Sequence, residues 1–259
     1  MKRVLWSAVI LTVLALGVAA CGSSVAEMPA ESTVVASTAT TLPPTTAPAP
    51  PSTAAAEVVV FNDPVLEKGI RAALNKPQGD VTVAEAATLT ELRLDIPWKS
   101  PESMQIKDIS ALKHFVNLTR LELSFHAIKD VSPLAGLVHL TGLSLGGNNI
   151  SDITPLVGLA ELEFLTLFNC QATDYSPLKN FTHLRTLFID YSTINDLSVL
   201  AGLTDLDTLA LKATKVTDVT PLAGLTKLKR LQLSENAITD FSPLKDIYPA
   251  LEEKDFEMQ

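Results

Sequence analysis

The sequence is short of the residues that carry chemistry. Its four histidines, His114, His126, His139 and His183, are scattered, with no spacing that would let them share a metal ion. Cysteine occurs only at Cys21 and Cys170. Neither a glycine-rich phosphate loop nor a G-x-S-x-G elbow is present. These absences remove the usual supports for catalysis, so the chain is expected to be no enzyme, with no metal and no cofactor. The apolar run from Val4 to Ala20 is broken by Ser7, Thr12 and Gly17, and is too short and weakly flanked for a membrane span. Positive charge is in deficit, with 20 Lys and Arg against 29 Asp and Glu. A surface of that sign repels phosphate, which argues against nucleic acid as a partner and against docking on anionic lipid by charge alone.

What is present begins with a leader. Lys2 and Arg3 precede the apolar run and small residues close it, which reads residues 1–20 as a secretory signal peptide. Val18-Ala19-Ala20-Cys21, followed by Gly22-Ser23-Ser24, resembles the lipobox of bacterial lipoproteins. The resemblance implies cleavage before Cys21 and a lipid thioether on its sulfur. With added acyl chains this gives more than one hydrocarbon anchor, as lasting attachment requires. The expected location is the bacterial cell envelope, lipid-anchored on the extracytoplasmic side and tethered rather than spanning. Loss of the leader leaves 18 basic against 29 acidic residues, a formal charge of −11. Cys170 then remains as the lone free thiol, with no intramolecular disulfide. Residues 21–57 are dominated by Ser, Thr, Ala and Pro. They bury too little apolar surface to offset the entropy of ordering, and read as a linker. In polyproline geometry, at ~3.1 Å per residue, the linker would reach roughly 100 Å, and its composition permits O-glycosylation.

The remainder repeats. Leucines at 118, 140, 162, 184, 206 and 228 are 22 residues apart. Parallel columns run Leu121, Leu143, Leu165, Leu187, Leu209, Leu231 and Leu134, Leu156, Leu178, Leu200, Leu222, Leu244. A further column reads Leu123, Leu145, Leu167, Ile189, Leu211, Leu233. The alternation in Leu121-Glu122-Leu123 is that of a strand with leucines inward. No unit can bury its leucines without neighbours, so the units must stack.

The pattern L-x-x-L-x-L, followed by I-x-D-[apolar]-[ST]-P-L, resembles the internalin type of bacterial leucine-rich repeat over about residues 61–247. It implies an α/β solenoid, with a curved parallel sheet on the concave side, short 3-10 turns on the convex side and a helical N-terminal cap. The expected division is a cap at 58–88, repeats at 89–247, the first with an insertion, and a C-terminal cap at 248–259. In the cap, Asp63 and Pro64 can start a helix whose apolar stripe is Leu66, Ile70, Ala73 and Leu74, and Thr82 to Glu85 is a capping box. Ser132-Pro133 and its equivalents are expected to start each convex turn, with the hydroxyl residue as N-cap and proline at the first turn position; Ser198-Val199 is the exception.

Aspartates 130, 152, 174, 196, 218 and 240 form a column. They could hold cations or accept backbone N–H bonds at their own turns. Calcium needs several converging oxygens and no second acidic column supplies them, which favours the turns. The inward position where the family often has asparagine carries His126, Asn148, Cys170, Ser192, Thr214 and Asn236. That departure puts a regular asparagine ladder in doubt, but not the fold.

Stacking sets the residues beside the strand leucines on one concave face. Phe164, Phe168 and Phe188, with Tyr191 just beyond, are expected to cluster mid-stack, bordered by Asp190, Lys212 and Arg230. Grouped aromatics with a polar rim are what protein interfaces have, so this patch is the candidate site for a protein partner, on a chain expected to be monomeric. Trp98, in the stretch between Leu94 and Ile106 that is seven residues longer than its counterpart in the later units, is expected to pack over the first repeat. The leading functional reading is a surface receptor or adhesin. The alternative is a structural or assembly factor within the bacterial envelope.

Overall fold

The computed structural model describes residues 56–258; the leader, Cys21 and the spacer up to residue 55 lie outside them. Each repeat gives one three-residue strand: β1 (Glu91–Arg93), β2 (Arg120–Glu122), β3 (Gly142–Ser144), β4 (Phe164–Thr166), β5 (Thr186–Phe188), β6 (Thr208–Ala210) and β7 (Arg230–Gln232), closed by the two-residue β8 (Glu253–Lys254). The eight strands pair in parallel and in chain order. The register aligns Leu92, Leu121, Leu143, Leu165, Leu187, Leu209 and Leu231 in one row that ends at Lys254. The leucines of this row and the leucine columns behind it are buried and make one continuous core, whereas Lys254 is exposed.

After each strand from β2 to β7 the backbone turns inward through a residue in the left-handed region: Phe125, Gly147, Asn169, Tyr191, Ala213 and Glu235, with φ between 54° and 72°. Only one of the six is glycine. The next residue belongs to the inward polar column, whose side chains hold the turn. Asn148 donates to the Leu123 and Leu145 carbonyls at 2.7 and 2.8 Å and accepts from Ile128 N at 3.1 Å. Asn236 does the same one end further on. Thr214 donates to the Leu211 carbonyl, and the Cys170 thiol to that of Ile150.

The convex side carries short 3-10 turns, as at Ser132–Leu134, Thr154–Gly158, Ser176–Asn180 and Thr220–Leu222. Their start differs from the expectation. The N-cap is the inward apolar residue Val131, Ile153, Tyr175 or Val219, the hydroxyl residue is the first residue of the turn, and no N-cap side chain makes the capping bond. The aspartate column makes it instead. Asp130, Asp152, Asp174, Asp196, Asp218 and Asp240 each accept the backbone N–H two residues on, at 2.7 to 2.8 Å. The cap position must face the core, so an apolar residue fills it and the carboxylate reaches forward from one residue earlier.

At the N-terminal end, α1 (Pro64–Ala73) starts at Asp63, whose Oδ1 accepts from Val65 N and Leu66 N. Its Oδ2 accepts from Lys107 N and Asp108 N, tying the helix to the tail of the first repeat. Leu66 and Ile70 are buried and Leu74 is half-buried, whereas Ala73 faces solvent. The second start signal is a true capping box on α2 (Val83–Ala86). Lys76 beside Glu85, with the Thr82 backbone, lowers the Glu85 carboxyl to about 2. At the other end Phe241 stacks on Phe256 at 4.9 Å, Tyr248 meets Phe256 edge-on, and Lys254 lies 4.6 Å over the Tyr248 ring.

Candidate binding face

The residues flanking the leucine row form the outer face of the sheet. Period-2 alternation and the common register set them in rows across the strands. From β1 to β2 the face is an ion ladder. Arg93 pairs with Glu91 at 2.7 Å and reaches Glu122 at 3.7 Å, and Arg120 pairs with Glu122 at 2.7 Å. β3 offers almost no side chains, only Gly142, Ser144 and, beyond it, Gly146. Arg120 therefore crosses it, and its guanidinium stands 6.0 Å from the centroid of Phe164 on β4. Phe164 in turn meets Phe188 on β5 edge-on at 6.1 Å.

The expected mid-stack aromatic cluster is thus divided. Phe164 and Phe188 are together, but Phe168 turns away from them toward the N-terminal end. Its ring lies over Gly146, where a Cβ would fall 2.0 Å from a ring carbon, and it contacts Phe125 at 5.1 Å. Phe125 meets Trp98 edge-on at 5.6 Å. Trp98 does not pack over the first repeat. It is 63% exposed and touches a residue of the following unit.

Tyr191, 43% exposed, lies at the far side, where its side chain supports the Lys212 charge. The charged border is engaged with its own neighbours. The Asp190 carboxylate accepts from Lys212 N at 2.8 Å, and burial pushes its pKa up against that bond. Lys212 pairs with Glu235 at 3.0 Å, which raises the lysine, and Arg230 pairs with Glu253 at 3.2 Å. Asp190 thus has a structural duty beside any role in binding.

Arg120 flanks a strand leucine and was expected on this face, but neither it nor Phe125 nor Trp98 was among the candidate site residues. The signal that points to them is the run of small residues in one unit, Gly142, Ser144, Gly146 and Gly147, which leaves space that neighbouring units fill. Phe125 lies past the strand, where alternation no longer applies. The buried Cys170 thiol is pushed up by desolvation, so it holds no reactive thiolate. Among the described residues no three His, Cys, Asp or Glu side chains gather as a metal site, and no helix is long and apolar enough to cross a membrane.

Residues 138–180 match the family model described as Leucine Rich repeats (2 copies). Comparison with curated proteins finds no match. Among solved structures the chain is similar to an internalin (inlF) of Listeria monocytogenes, with 34% identity and a TM-score of 0.69, over 78% of this chain and 59% of that one. It thus spans little more than half of that relative. It is also similar to internalin C2 (inlC2) of the same organism, at 32% identity and a TM-score of 0.64, over 78% of this chain and 97% of that one. A plant peptide hormone receptor, RGFR1 in complex with RGF2, shares the fold at 19% identity and a TM-score of 0.55, over 68% of this chain and 30% of that one.

Proposed function

This chain belongs to the internalin family of leucine-rich-repeat proteins, and on that premise we propose that it is a surface-held receptor or adhesin whose concave sheet face captures a protein partner. The observation that carries the reading is the Phe164–Phe188 pair, with Arg120 beside it, at positions the core does not need. The leucine rows already fill the interior, so these rings add nothing to it. Aromatic and arginine side chains together are the residues that dominate binding energy at protein interfaces.

The soluble repeat region, used as bait against host surface proteins and separately against the bacterium's own envelope extract, distinguishes an adhesin from an envelope assembly factor. Changing Phe164, Phe168 and Phe188 together to Ser is expected to abolish capture while the urea midpoint stays cooperative. Capture that survives the triple change would remove this face as the site. The anchor belongs to the same proposal: Cys21 carries lipid and the Pro-rich spacer holds the repeats clear of the membrane. Labelled palmitate should enter the protein and be lost in Cys21→Ala; label persisting in that variant would sink the lipoprotein reading.

A further inference from the structure

Three rings form a ridge that the stacking of repeats does not require. Trp98 stands in the insertion after β1, Phe125 at the left-handed position after β2, and Phe168 beyond β4. Their centroids are 5.6 and 5.1 Å apart and their planes cross at 72° and 50°, so the surface is a row of edges and clefts rather than a flat platform. Two glycines seat it. A Cβ on Gly146 would strike Phe168, and one on Gly147 would lie 2.7 Å from Phe125 and 3.2 Å from Phe168. Phe125 itself takes φ 66°, a conformation disfavoured for a bulky side chain.

The loop bearing Trp98 is fastened at both ends by the residue after Phe125. His126 Nε2 donates to the Leu94 carbonyl at 2.8 Å, and Nδ1 accepts from Ile106 N at 3.1 Å. Trp98 is therefore exposed but held. Its indole N–H has no acceptor among the described residues.

The surroundings select the ligand. Backbone groups inside the sheet are paired from strand to strand, so a peptide cannot add itself as a further strand across this face. A polyproline II segment needs no such bonds. It arrives preformed, offers flat rings to clefts between aromatics, and presents carbonyls to a lone indole donor. Three of its residues advance about 9 Å, comparable with the two ring-to-ring steps from Trp98 to Phe168. Prolines at i and i+3 would then meet the two outer rings with Phe125 between them.

Charge decides what flanks the prolines. Asp95, at the base of the same loop, accepts from Ser124 N beside Phe125, and burial and the neighbouring Glu122 push its carboxyl up against the bonds from Ser124 and the charge of Arg120. It makes no ion pair among the described residues, whereas Glu122 is taken by Arg93 and Arg120. Lys99 is the only cation of the loop, against Asp95 and Glu102, and Glu102 is already paired with Lys107 at 2.6 Å, so Asp95 is the carboxylate left for a basic side chain. We infer that Trp98, Phe125 and Phe168 are a docking ridge for a proline-rich protein segment that carries an arginine or lysine beside its prolines. This names the ligand class for the protein-binding reading above and rests on it.

The test titrates the full chain, by calorimetry, with a twelve-residue peptide of Pro-Pro-x triplets led by arginine. Three controls accompany it: the same residues scrambled to break the i, i+3 spacing, the peptide with glutamate for arginine, and maltohexaose. Saturable binding of the first peptide is expected. It should weaken about tenfold or more in Trp98→Ala and in Phe168→Ala, which corresponds to about 1.4 kcal/mol. Val157→Ser, an exposed change on a convex turn, should leave it unchanged. Trp98 is exposed, so its removal does not threaten folding. No saturable binding, equal binding of the scrambled or glutamate peptide, undiminished binding by Trp98→Ala, or binding of the sugar instead would each overturn the inference. If the peptide fails while the triple Phe variant still loses capture of a protein, the ligand class is wrong and the binding face stands. If neither holds, the face itself is wrong.

Discussion

At position 126 an imidazole does the work that an amide does at 148. Asn148 gives two N–H bonds and takes one; His126 can give one and take one only as the neutral ring, with the proton on Nε2 and the lone pair on Nδ1. Burial lowers its pKa, against the Leu94 carbonyl bond and the charge of Asp63, the acidic group that faces it. A histidine whose folded pKa is depressed contributes stability above its ordinary value near 6.5 and loses it as pH falls through the folded value, because the unfolded chain takes the proton first. The urea midpoint is therefore expected to drop as pH is lowered from about 7 to about 5.5. His126→Asn should flatten that slope. A slope equally steep in both proteins would show that other groups set it. The inward column was legible as a column; that a histidine there would also clamp the insertion was not, because nothing in the spacing brings Leu94 and Ile106 together.

Among the elements, the convex turns show why a motif can be recognised and its chemistry misplaced. Ser-Pro before Leu is a start signal, but here the turn begins one position earlier than the motif suggests. The residue before serine must point into the core, so Val131, Ile153, Tyr175 or Val219 occupies the cap, and the aspartate ahead of it supplies the acceptor. At Ser198-Val199, where proline is missing, the turn spans Leu197–Leu200 and Asp196 is itself the N-cap, still accepting from Ser198 N at 2.8 Å. The constant partner is the carboxylate, not the proline. That is the physical reason the aspartate column is kept without interruption: each member satisfies a backbone donor that starts its turn. The side-chain and backbone bonds from Thr154 accordingly hold Asp152 below the ordinary carboxylate range, as the backbone and hydroxyl of Ser176 do for Asp174.

Across the solenoid, the period was enough to read that the units stack with their leucines inward, while the parallel sheet and the 3-10 turns followed from the family that the repeat resembles. The site was half legible. Alternation along β4 and β5 placed Phe164 and Phe188 on one face, and they do meet there. It could not tell which way Phe168 would lean, because that depends on the absence of side chains at Gly146 and Gly147 in the neighbouring unit. Trp98 escaped for a related reason: its partner, Phe125, sits at a turn whose left-handed backbone no pattern of hydrophobicity reports.

The two ends of the stack are secured by different means. Asp63 places one carboxylate among four backbone N–H groups, two from α1 and two from the first repeat, and is itself buried. Neither the helix nor that first turn can open without stranding the other's donors, so they should exchange their amide hydrogens as one slow unit. The far end rests on a two-residue strand and an aromatic stack, with Lys254 where the leucine row should continue. Amide exchange is thus expected to grade from slow at β1 and β2 to fast at β8, and a uniform profile would contradict it. Opening is then directional: the coil unwinds from its last turn while its first stays latched.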